Sequence, residues 1–109
     1  MNIEEFREFC LSKNDVTECF PFDEETLVFK VKGKMFALTN TEGEFTISLK
    51  CDPEKAIDLR EHYSCVLPGY HMDKKHWNTV VIDGSVADDI LHEWISDSYN
   101  LVLKKIKKN

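Results

Sequence analysis
Glycine is scarce in this chain of 109 residues: there are four, Gly33, Gly43, Gly69 and Gly84, each alone at a turn. A loop that cradles phosphate needs clustered glycines so that successive backbone N–H groups can close on the anion, and that class of site is excluded. Paired cysteines are lacking as well. Cys10, Cys19, Cys51 and Cys65 sit singly, with no CxxC pair. Of the possible zinc ligands Cys51, Cys65, His71 and His76, only the His71/His76 spacing is suggestive, and the cysteines lack the short pairing that structural zinc sites recurrently show. No apolar run approaches the roughly 20 residues needed to cross a bilayer. The opening MNIEEFREF is acidic and lacks the basic start and apolar stretch of a signal peptide. The expectation is a cytoplasmic protein with four reduced thiols, no metal and no cofactor. A nucleophilic Cys65 served by His71 or His76 would lack a third, orienting group. These absences point away from an enzyme and towards a protein that works by binding.

The composition is that of a folding chain. Hydrophobic residues make up 42% and charged residues 31%, and a chain of this size buries about two-thirds of its unfolded surface, enough for one core without staples. Residues 1–109 are expected to form one domain, without linkers or repeats. The net charge of −6 is unevenly spread. Residues 1–26 hold eight acids against Arg7 and Lys13, while the remaining 83 residues carry twelve acids and twelve bases. A field of that kind does not steer the whole molecule to nucleic acid, so any basic surface must be local.

Periodicity supplies the elements. Asn2 and Glu5 form a capping-box pattern ahead of Ile3, Phe6, Phe9 and Cys10, which predicts a helix over about residues 2–13. TECFPFDEE follows as a loop anchored by Phe20 and Phe22. Leu27, Phe29 and Val31 then alternate with Val28, Lys30 and Lys32, Gly33 turns the chain, and MFALT and FTISLK complete an antiparallel meander. Asp52-Pro53-Glu54 starts a second helix with an N-cap acid and an N1 proline. WNTVVID is a further strand. Ser85 with Asp88 opens a last helix, with Ile90, Leu91, Trp94, Ile95, Leu101 and Val102 on its inner face and lysines at its end. The predicted class is α+β, in the order α-β-β-β-α-β-α, with helices packed on one face of an antiparallel sheet.

The densest cluster of functional residue types is PGYHMDKKHWN, residues 68–78. Its lysines could meet phosphates while an imidazole or indole ring stacks on a base. For Trp77 alone the commoner role is core burial. Lysines on the strands, such as Lys32 and Lys34 beside the turn, keep a sheet soluble and discourage edge pairing. Lys50 is different, because it ends a strand just before a helix N-terminus, where anions can settle. It is the preferred single phosphate contact.

Those residues carry a resemblance. FPFDEETLVFKVKGKMFAL, ISLKCDPEKAIDLREHY, PGYHMDKKHWNTV and DGSV make the chain similar to the MmcQ/YjbR family over nearly its whole length, from Phe6 to about Tyr99. Asp73 stands where asparagine is usual, and Ala87 where proline often opens the last helix. The family's small bacterial proteins are commonly described as predicted DNA-binding proteins with a CyaY-like fold. The resemblance therefore implies loops beside the sheet that contact DNA, through Lys50, His71, Lys74, Lys75, His76 and Trp77. The expected function is that of a monomeric DNA-binding module, the alternative being an adaptor that holds a small anionic ligand or a protein partner on the same surface.

Overall fold
The computed structural model describes residues 1–69 and 72–107, with Lys107 as backbone only. Helix α1 spans Ile3–Leu11 and starts at the capping box, where the Asn2 side chain accepts from the Glu5 N–H and the Glu5 carboxylate accepts from the Asn2 N–H. Strands β1 (Val16–Cys19), β2 (Thr26–Val31), β3 (Lys34–Asn40) and β4 (Thr46–Lys50) follow, then α2 (Pro53–His62), β5 (Val66–Pro68), β6 (Trp77–Val81) and α3 (Asp88–Lys107). The six strands form one antiparallel sheet in the order β1-β2-β3-β4-β6-β5.

The element order corrects the expected one in two places. Part of the TECFPFDEE stretch is β1, and Val66–Pro68 forms β5, so there are two strands more than the alternation announced. Both are edge strands, of four and three residues. An edge strand pairs on one side only and can be short and polar, so it need not carry a clear period of two. Pro68 is tolerated at the end of β5 because an outer strand can spare that N–H.

Two local expectations are also corrected. Phe20 and Phe22 do not anchor the loop before β2; they are 50% and 63% exposed. The Asp23 carboxylate organises that loop instead, accepting from the N–H groups of Glu25 and Thr26. Asp52 is the N-cap residue of α2, followed by Pro53 and Glu54 in the first turn as expected, although its side chain makes no capping bond. Ser85 does not open α3, because its N–H and hydroxyl both turn back to Asp83, and the Ala87 carbonyl accepts the first helical bonds.

The core lies between the sheet and the helices. Leu27, Phe29 and Val31 from β2, Ile47 and Leu49 from β4, and Val66 and Val80 meet Phe6 and Cys10 of α1 and Leu91, Trp94, Ile95 and Val102 of α3. Trp94 is 7% exposed and packs edge-to-face on Tyr63, ring centres 5.1 Å apart. Between β2 and β3 the register slips by one residue: Phe29 faces Ala37 and Lys30 faces Met35, which leaves Phe36 as a bulge. The bulge lets Phe36 and Ala37 both join the core side. Ser98 of α3 fastens there. Its hydroxyl donates to the Phe36 carbonyl at 2.5 Å and accepts from the Lys50 N–H at 2.8 Å. Among the described residues the other face of the sheet carries no helix, and its centre is a small cluster of Val28, Leu38 and Trp77 flanked by Cys19, Met35 and Met72.

Candidate anion-binding groove
At one end of the sheet, the start of β3, the end of β4 and the last turns of α3 come together. They bring Lys34, Lys50 and Lys105 into one groove of about 350 Å³, walled by Met35, Trp77, Val102 and Ile106. Among the described residues no carboxylate side chain lines it. Lys50 is half-buried and stands opposite Trp77 across the β4–β6 ladder. Burial pushes its ammonium below the ordinary lysine range, and the positive charge of Lys105 lowers it further, against a weaker opposing pull from Asp73. An anion placed between the two lysines would relieve both penalties.

The turn after residue 71 borders this groove. Asp73 builds it: one carboxylate oxygen accepts from the Lys75 N–H at 2.9 Å, and the other accepts from His76 Nδ1 at 2.6 Å. The Asp73 carbonyl also accepts from the N–H groups of His76 and Trp77. The His76 carbonyl in turn accepts from the Cys51 N–H at 2.7 Å, which docks the turn beside Lys50. Arg60 of α2 clamps the far side, donating to the Lys74 carbonyl at 3.1 Å and to Asn78 Oδ1 at 2.8 Å. Gly69 is needed where the chain crosses β6, since a Cβ there would lie 2.7 Å from Trp77 Cβ.

The sequence-derived residues divide accordingly. Lys50 lines the groove, and Lys74 and Lys75 are exposed on the neighbouring turn. His76 is half-buried, with its ring held by Asp73. Trp77 is 6% exposed, a wall of the groove whose ring is packed in the small cluster, so it does not offer the open stacking face expected of it. His71 lies outside the described residues. Asp73, whose negative charge stood out in the sequence, is committed to the turn's own hydrogen bonds, and its carboxyl is held below the usual carboxylate range by His76 and then by the Lys75 N–H. Sequence reasoning missed Lys34 and Lys105. Each had an ordinary explanation, a soluble turn for one and the negative end of a helix for the other, and their convergence on Lys50 is visible only in three dimensions. Among the described residues no three His, Cys, Asp or Glu side chains are placed to hold a metal ion. The four cysteines are unpaired, with Cys10 and Cys65 buried. No described helix is long and apolar enough to cross a membrane.

The same arrangement of chain occurs elsewhere. A crystal structure of a Deinococcus radiodurans protein with the DUF419 domain superposes with a TM-score of 0.90 at 45% identity, covering 95% of this chain and 80% of that one. A Pseudomonas syringae crystal structure gives 0.80 at 28% identity, covering 93% and 98%. In sequence, the uncharacterized protein YbdF of Escherichia coli O157:H7 is 41% identical over 91 residues, 83% of this chain and 75% of its own. The uncharacterized protein YjbR of Escherichia coli K12 is 34% identical over 100 residues, 91% of this chain and 85% of its own. The family model described as YjbR matches residues 11–101, and the chain belongs to the YjbR family.

Proposed function
We propose that this chain is a small DNA-binding module that acts as a monomer and performs no catalysis, holding the phosphate backbone at the lysine groove. The observation that carries this reading is the convergence of Lys34, Lys50 and Lys105 in a groove with no carboxylate side chain among the described residues that line it. Lys74 and Lys75, exposed on the adjoining turn, extend the positive surface. With Trp77 packed inward, base stacking contributes little, and the binding is electrostatic and largely indifferent to sequence. Phosphate contacts fix position without reading bases.

Titration of the chain with a short DNA duplex across a range of salt tests this. If three phosphates are neutralised, log affinity falls against log salt with a slope of about −2.7, from roughly −0.9 per contact. The dissociation constant at physiological salt should be about 10⁻⁴ to 10⁻⁶ M. Lys50→Gln with Lys105→Gln should bring the slope to about −0.9 while leaving the thermal melt nearly unchanged. Absence of binding at low salt, or an unchanged slope in the double variant, refutes the reading. Saturable binding of inorganic phosphate without DNA affinity would mark the groove as a site for a small anion instead.

A further inference from the structure
The helix-covered side holds a second opening, separate from the face of Trp77. Between α2 and α3 a half-open cleft of about 190 Å³ leads down to the sheet. Leu49 and Val80 form its floor, and Leu59, Trp94 and Leu101 its walls. The Asn78 amide in the wall is already engaged, its Oδ1 accepting from Arg60 and its Nδ2 donating to the Ala56 carbonyl. At the mouth Lys55 and Asp97 neutralise each other at 3.1 Å, and Lys50 and Asp52 on the rim are also opposite in sign.

These features select against an ion. A charged ligand would lose its water against Leu49, Leu59, Val80, Trp94 and Leu101, none of which carries a counter-charge. A neutral ring loses only apolar surface, which favours entry. Size sets the other limit: a dry cavity of about 150 Å³ lined by aliphatic and aromatic side chains takes up benzene. We propose that the α2/α3 cleft is a binding site for a neutral aromatic molecule of one or two rings. It opens on the helix-covered side, shares Lys50 of its rim with the lysine groove, and recognises its ligand by shape and apolar surface.

Indole is a suitable probe, added to the full-length chain and followed by ¹⁵N–¹H NMR. Saturable shifts should be confined to the amides of Leu49, Val80 and Leu101 and to the Trp94 side-chain N–H. Leu59→Trp places a ring of the protein's own in the cleft and should weaken indole binding at least about tenfold, a difference of roughly 1.4 kcal/mol. Leu101→Phe fills the same space with a smaller change, so the test survives if the first variant folds poorly. On the unmodified chain, saturating indole should slow maleimide labelling of Cys51 at the mouth, while Cys19 on the opposite face keeps its rate. Shifts scattered over the surface, unchanged affinity in both filled variants, or benzoate binding as tightly as indole would each overturn the proposal.

Discussion

Replacing Ser98 by alanine removes one oxygen atom from a site with 0% exposure, and two backbone groups lose their partner. The Phe36 carbonyl at the β3 bulge and the Lys50 N–H at the end of β4 both meet that hydroxyl. Each buried group left unsatisfied costs about 1–3 kcal/mol, so the pair should cost about 2–6 kcal/mol. For a domain of this length each kcal/mol lowers Tm by about 4 °C or more, which predicts a fall on the order of 10 °C or greater. Urea unfolding of the variant and the parent chain measures the free energy directly, with Ser85→Ala as the comparison. Ser85 is exposed and bonded only within its own loop, so its loss should cost less than about 1 kcal/mol. Hydrogen exchange adds a local readout: the Lys50 amide should exchange faster in Ser98→Ala, out of proportion to its neighbours. A cost below about 1 kcal/mol, or an unchanged Lys50 amide, would refute the argument that this hydroxyl joins α3 to both strands.

Three further outcomes are expected. Trp94→Ala removes a core ring packed on Tyr63 and should cost about 3–5 kcal/mol by urea unfolding; a loss below about 1 kcal/mol would contradict its place in the core. Lys32 sits at φ 50° and Gly33 at φ 84°, a type I′ turn between β2 and β3, and Lys32→Asn should raise stability by about 0.5–1 kcal/mol in a thermal melt, since asparagine tolerates that region better. The Asp73 carboxyl is held below its ordinary value of 3.8, so its support of the turn is complete above that pH and is lost as pH falls through the lower folded value. An NMR titration of the Lys75 amide should show that loss in the parent chain and none in Asp73→Asn; identical titrations would disprove the role given to the carboxylate.

The central part of the fold was legible because its residues face one constraint each. Leu27, Phe29 and Val31 bury one edge of an alternating strand, and Leu91, Trp94, Ile95 and Val102 bury one stripe of a helix, so periodicity alone located them. The outer strands escaped notice for the opposite reason. In β1, Glu18 turns its side chain to Arg7 of α1 and no run of apolar residues builds up. The candidate site was half legible. Lys50 stood out by its place between a strand and a helix, and Lys74 and Lys75 by their density, but a groove assembled from three separate elements leaves no local spacing to read. Composition also misled at Phe20 and Phe22, since a hydrophobic side chain carries no mark of whether its loop folds it in or out.

The bulge at Phe36 has a consequence for how this sequence can change. Strict alternation along β3 from Ala37 would send Phe36 to the uncovered face and Met35 to the core; the extra residue reverses that parity for everything before it. Met35 thereby joins Trp77 on the open side, and Lys34 comes beside Lys105. One strand thus runs in two phases, one serving the interior and one serving the groove, with a single residue of slack between them. Deleting that residue would keep nearly the whole composition and every lysine, yet it would exchange the partners of Met35 and Lys34 and take the groove apart. Relatives that carry the same lysines without the same count of residues between Gly33 and Ala37 would carry the charges but not the site.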